Sequence, residues 1–195
     1  IPLRLVGSEM CIRDRFMNKM ISKAKQLKIG FNKQLDYEIG PMITNKSKER
    51  VLELIKNTIE NGGKLQYGGK SPDNSNIGNW IQPTVISGVT EKMNIFHEEI
   101  FGPVASLISF KSEDEVIKSA NNTKYGLASY LFTNNKERIN RFINELDFGE
   151  VQINGIKYDI YLPHGGIKES GVGHDCSELA LDDYLIKKRI TITKQ

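Results

Sequence analysis

Between residues 104 and 153, short apolar runs of strand type alternate with amphipathic helical patterns, and this alternation constrains the fold more than any other feature of the chain. The apolar run over 104–110 leads into Ser112-Glu113-Asp114-Glu115, the spacing of a capping box, ahead of Val116, Ile117 and Ala120. A second run over 127–132 leads into Ile139, Phe142, Ile143 and Leu146 at i, i+3, i+4 and i+7, with Gly149 placed to stop the helix. Val151 and Ile153 then alternate with polar neighbours. Strand, helix, strand, helix, strand with short connections predicts right-handed crossovers and a parallel sheet covered by helices, which is the α/β class.

The flanks fit this frame. Phe16, Met17, Met20, Ile21, Ala24 and Leu27 recur at helical spacing opposite four lysines, with Gly30 where a C-terminal cap belongs. Val51, Leu52, Leu54, Ile55 and Ile59 repeat the pattern until Gly62-Gly63 stops it. Leu65 and Tyr67 mark a short strand, 68–78 reads as a polar, turn-rich surface loop, and 80–89 as an extended segment. Residues 177–186 predict a short final helix. Over 189–194, Ile190 and Ile192 alternate with Thr191 and Thr193, the pattern of an exposed edge strand open to pairing with another chain.

Composition excludes several classes. The 195 residues are 38% hydrophobic and 26% charged, as in an ordinary globular protein of one domain or slightly more. The 27 basic and 24 acidic residues are interspersed, so nucleic acid is not the default partner. No apolar stretch approaches the ~20 residues of a membrane-spanning helix. Two cysteines, Cys11 and Cys176, cannot form a disulfide framework, which favours a reducing, cytoplasmic setting. The first residue is Ile1 and no signal-peptide pattern follows it, so the chain is expected to begin within a longer protein.

The motifs divide into those that fail a chemical test and those that pass one. Residues 63–71 imitate a phosphate-binding loop, but the lysine does not directly follow the second glycine of the motif, and the segment follows a helix rather than a strand, so a cap and turn account for it. Gly171-Val172-Gly173 falls short of a dinucleotide fingerprint and reads as turn glycines. His97-Glu98-Glu99 lacks a second histidine four residues on, and His164 and His174 have no ligand spacing to it, so no metal site is expected. Glu98-Glu99-Ile100-Phe101-Gly102-Pro103 is different. Two acids and an aromatic stand immediately before a buried strand, where they suit hydroxyl recognition and stacking on a flat ligand, although a solvated turn explains the spacing equally well. The glycine-rich stretch 162–173 reads either as a connecting loop or as a pocket wall.

Together these segments resemble the C-terminal part of the NAD(P)-dependent aldehyde dehydrogenase superfamily, over about residues 16–193. Glu98-Glu99-Ile100-Phe101-Gly102-Pro103-Val104 is similar to the family's EEIFGPV motif, and Asn121-Asn122-Thr123-Lys124-Tyr125-Gly126-Leu127-Ala128 to its N-x-T-x-YGLA stretch. Pro163-His164-Gly165-Gly166 with Lys168, Ser170 and Gly171 resembles P-F-G-G-x-K-x-S-G. Gly40-Pro41 and Trp80-Ile81-Gln82-Pro83-Thr84-Val85 also have counterparts, and five motifs in the family's order are highly specific.

The resemblance implies oxidation of an aldehyde to a carboxylic acid with NAD or NADP. A cysteine thiolate attacks the aldehyde, the thiohemiacetal gives up hydride to the nicotinamide, and water activated by a glutamate releases the acid. On matching positions, Glu99 is expected to bond the nicotinamide ribose and Phe101 to contact the nicotinamide end. His164, where the family most often has Phe, is expected to line the substrate path. Together with Asp175, Ser177, Asp183 and Tyr184 it resembles the aminoaldehyde-oxidising branch, which implies a small polar or ω-amino aldehyde. The nucleophile, the general base and the cofactor domain are expected upstream of this chain, leaving it inactive alone. Residues 1–15 resemble translated adapter sequence and are expected to be a non-native leader that includes Cys11. Residues 16–175 are then a partial catalytic domain and 176–195 a C-terminal helix and oligomerisation strand of a homo-oligomer. The rival reading is a non-catalytic assembly or regulatory protein that retains the domain.

Overall fold

The computed structural model describes residues 8–31, 37–72 and 78–194, with the side chains of 8–12 left aside. Contacts divide the chain into two compact units, Ile1–Ser109 and Phe110–Gln195.

In the first unit, helix α1 (Ser8–Gln26) precedes α2 (Asn45–Glu60), β1 (Lys64–Tyr67), β2 (Thr84–Ser87), the single turn α3 (Asn94–His97) and β3 (Val104–Leu107). Helix α1 starts at Ser8 rather than Phe16, so its backbone runs through Cys11 and across the boundary expected at residue 15. Gly30 is not its cap: the helix ends at Gln26, and the segment beyond is claimed by pairing with residues 38–39, where Gly30 N–H donates to the Ile39 carbonyl at 3.0 Å. The end of α2 follows the sequence closely. Gly62 takes φ 101°, its N–H donates to Ile59 and that of Gly63 to Thr58, the paired bonds of a Schellman motif.

Strands β2 and β3 are parallel, Thr84 opposite Val104, while β1 runs antiparallel to β2 with an irregularity between Leu65 and Tyr67. The sheet is therefore mixed, not purely parallel. The extended segment 80–89 yields only four ladder residues because Pro83 has no N–H to continue the pairing and Gln82 N–H donates to Lys70 instead. The core sits between α2 and β2: Val51, Leu54 and Ile55 pack with Ile81, Ile86, Val89, Met93 and Ile95.

In the second unit, α4 (Glu113–Asn121), β4 (Ala128–Leu131), α5 (Lys136–Glu145) and β5 (Glu150–Ile153) precede two 3-10 turns, Lys168–Ser170 and Glu178–Asp183. Ser112 caps α4, its hydroxyl accepting from Glu115 N–H at 3.2 Å, while the Glu115 carboxylate reaches back to Lys111 N–H rather than to the cap residue. Helix α5 connects two parallel strands, Ala128 opposite Glu150, as the crossover pattern predicts. Strand β3 pairs with β2 and not with β4, so one predicted crossover out of two joins neighbouring strands.

Three further expectations are corrected. Gly149 does not cap α5, which ends at Leu146 in extended conformation. A side chain at 149 would place Cβ 1.9 Å from the Gly165 carbonyl oxygen, so glycine is required there for backbone contact. The final helix is a six-residue 3-10 turn, and 189–194 forms no strand within the chain because no described segment supplies the partner ladder. Among the described residues no helix is long and apolar enough to cross a membrane.

Candidate functional site

The turn between α3 and β3 is built from below by α2 and from the side by β2. Pro103 carbonyl accepts from Thr84 N–H at 2.8 Å, which starts the parallel ladder, and Gly102 lies against Val51 so closely that an added Cβ would meet its methyls at 3.1 Å. Arg50, on α2, extends along the turn. Its guanidinium donates to the Glu99 carbonyl at 3.4 Å and to the Ile100 carbonyl, and pairs with the Glu98 carboxylate at 3.7 Å. His97 is tied to the Glu91 carbonyl through Nε2 at 2.7 Å, and among the described residues no group of acids, histidines and cysteines has metal-holding geometry.

This scaffold leaves two side chains without internal work. The Glu99 carboxylate is exposed and has no partner among the described residues. Phe101 is held at φ 46° and is 75% exposed. A bulky residue in the left-handed region costs free energy, and here packing does not offset it. The turn thus exposes a carboxylate at 99 and an aromatic ring at 101, able to accept hydrogen bonds from hydroxyls and to lie against a planar group.

His164, in the second unit, is fixed differently. Its backbone exchanges two hydrogen bonds with Asp175, at 2.8 and 2.7 Å. Its Nδ1 contacts the Glu150 carboxylate on β5, and the Tyr158 ring stands edge-on at 6.0 Å between centroids. Partial burial, and then the neighbouring Tyr158, push the Tyr130 phenol above its usual pKa. Of the other positions singled out with His164, Asp183 approaches Gly173, Ser177 caps the last 3-10 turn, and Tyr184 is exposed.

Comparison with known proteins decides the family. The model of the aldehyde dehydrogenase family matches residues 4–190. The chain belongs to the aldehyde dehydrogenase family. It is 35% identical over 185 residues to the betaine aldehyde dehydrogenase of Bacillus subtilis, covering 93% of this chain and 38% of that protein. It is 38% identical over 180 residues to Omega-crystallin of Enteroctopus dofleini, covering 92% and 36%. Among solved structures it superimposes with TM-score 0.82 and 34% identity on betaine aldehyde dehydrogenase from Staphylococcus aureus in complex with NAD+, covering 90% of this chain and 36% of that one. The chain therefore spans little more than a third of the length of these relatives.

Two of the family-like motifs act on each other. Gly126 carbonyl accepts from Gly149 and Ile167, Gly126 N–H donates to the Ser170 hydroxyl at 2.9 Å, and Glu169 N–H donates to Lys124 carbonyl at 2.9 Å. Lys168 pairs with Asp147 at 2.9 Å over the face of Phe148. The exposed Lys124–Glu169 pair, at 2.9 Å, raises the lysine pKa. In this family chain, 121–128 and 165–171 form a backbone clasp that begins one residue past His164. Sequence reasoning missed Arg50 and Glu150. Arg50 gave no local signal, whereas Glu150 and Gln152 at alternate positions of a strand mark one polar face, and they do meet, at 3.1 Å.

Proposed function

We propose that this chain is the C-terminal catalytic part of an NAD- or NADP-dependent aldehyde dehydrogenase that oxidises a small polar aldehyde in the cytoplasm. The observation that carries the reading is the turn at 98–104, where an arginine strap braces a strained backbone that leaves a carboxylate and an aromatic ring exposed. That pair fits the ribosyl-nicotinamide end of a dinucleotide: Glu99 accepts from vicinal hydroxyls and Phe101 offers a planar apolar wall. When bound, a nicotinamide dinucleotide supplies the hydride acceptor. His164 orients the polar end of the aldehyde, since its ring nitrogen gives such a group a partner that phenylalanine would not. The small polar or ω-amino aldehyde class is supported by that polar ring. No residue here is assigned as nucleophile or general base, so the 195-residue chain alone, given aldehyde and NAD or NADP, forms no reduced cofactor. Turnover by the purified chain that disappears in Cys11→Ser would overturn this assignment.

In the protein at its relatives' length, Glu99→Gln replaces a charged acceptor by a neutral one, a loss of about 1–2 kcal/mol, and slows hydride transfer in single-turnover kinetics. Unchanged hydride-transfer rate and cofactor affinity would remove Glu99 from the site. A second reading, a non-catalytic protein that retains the domain, is favoured by the relative named Omega-crystallin rather than for an activity. Absence of turnover by the full-length protein across an aldehyde panel would decide for it.

A further inference from the structure

We infer that Glu150 is a positioning residue that fixes the tautomer and orientation of His164, and so sets which polar aldehydes the site accepts; this rests on the reading of His164 as a substrate contact. Three restraints converge on the ring. The Glu150 carboxylate meets Nδ1, Tyr158 stands against the ring edge-on, and the paired bonds to Asp175 hold the backbone. Glu150 is itself well fixed. Its side chain is 12% exposed, its second carboxylate oxygen accepts from Gln152 Nε2 at 3.1 Å, and its carbonyl accepts from the Ser129 hydroxyl at 3.1 Å. Gln152 Oε1 accepts in turn from Lys157 N–H at 3.2 Å, which joins the strand to the segment that carries Tyr158.

A carboxylate is acceptor-only, so the proton of a neutral His164 ring belongs on Nδ1 and the lone pair on Nε2. Among the described residues nothing bonds Nε2, and the side chain is 37% exposed, so that lone pair is the group the ring has left to offer. It accepts a hydrogen bond. While the ring is neutral, the site therefore selects aldehydes whose distal group donates one, a hydroxyl or a protonated amine, over isosteric aliphatic aldehydes and over those ending in an acceptor-only carboxylate. A histidine without Glu150 would favour the opposite tautomer, the ordinary preference of a free side chain, and would present a donor instead.

The direct test is long-range proton–nitrogen correlation NMR of the 195-residue chain labelled with 15N-histidine, at a pH where the rings are neutral, with His164→Gln to assign the signal. The expected wild-type spectrum shows His164 protonated at Nδ1. Glu150→Ala moves the proton to Nε2. A wild-type ring protonated at Nε2 overturns the proposal without recourse to any variant, and so does a tautomer unmoved by Glu150→Ala. In the protein at its relatives' length, Glu150→Ala raises KM for a hydroxy- or amino-aldehyde about tenfold with kcat nearly unchanged, and leaves an aliphatic aldehyde of equal length alone. If the tautomer responds as expected but neither Glu150→Ala nor His164→Gln changes the ratio of these KM values, the ring is held by Glu150 yet lies off the substrate path, and the selectivity inference is overturned together with the reading of His164.

Discussion

Phe101 combines a left-handed backbone with 75% exposure, so its side chain contributes little burial to set against strain of about 1–3 kcal/mol. Phe101→Gly is therefore expected to raise the unfolding free energy by about 0.5–1 kcal/mol in denaturant titration, after allowing for glycine's extra entropy in the unfolded chain. On the proposed reading of Phe101, the same change weakens cofactor binding in the protein at its relatives' length, because the wall proposed for the nicotinamide end is gone. A loss of stability would mean the ring packs more than its exposure indicates. Arg50→Ala acts in the other direction: carbonyls of Glu99 and Ile100 lose a charged donor, costing about 1–2 kcal/mol, and, on the proposed reading of the turn, cofactor KM rises as it loosens. The sequence made Glu99 and Phe101 conspicuous because acids gain nothing from packing at the mouth of an apolar run, although that run, β3, is only half-buried. It could not show Arg50, which lies 49 residues from Glu99 along the chain and meets it only in the fold.

Among the elements, two glycines separate what local sequence decides from what distant contact decides. Gly62 follows α2 at φ 101° in open space, so Gly62→Ala costs only backbone strain, about 1 kcal/mol. Gly149 has no unusual φ among those observed, yet its added Cβ would lie 1.9 Å from the Gly165 carbonyl oxygen, and backbone cannot yield as a side-chain tip can. Gly149→Ala is expected to destabilise the second unit by more than about 3 kcal/mol, an effect large enough to appear as lost soluble expression or a collapsed thermal transition. Equal, small effects of the two substitutions would show that the clasp between 126, 149 and 165 is looser than its geometry. The same distinction explains how far the fold was legible. Helical periodicity, the Gly62-Gly63 stop, the Ser112 cap and the α5 crossover depend on near neighbours and followed from the sequence. The role of Gly30, the antiparallel β1, the β2–β3 pairing and the Glu150–His164 contact depend on which strands and loops meet, which spacing alone does not encode.

At the scale of the whole molecule, apolar burial is uneven. The large buried cluster lies in the first unit, whereas in the second only Ile117 and Phe142 are buried apolar residues among those described. The end of the chain is the extreme case: Ile186, Ile190 and Ile192 are 97%, 76% and 87% exposed. Residues two apart on a strand share a face, so 189–194, once paired as a strand, would carry Ile190 and Ile192 on one face and Thr191 and Thr193 on the other, and no described segment pairs its backbone. Pairing with a second copy would satisfy both the ladder and the apolar edge. The chain is accordingly expected to self-associate, with sedimentation velocity showing a concentration-dependent shift from monomer. Ile190→Lys combined with Ile192→Lys should restore the monomer, while Thr191→Lys with Thr193→Lys adds the same charge to the other face and leaves association largely intact. Equal suppression by both pairs would point to general charge repulsion rather than to this edge, and persistence of association in the isoleucine pair would place the contact elsewhere on the exposed apolar surface.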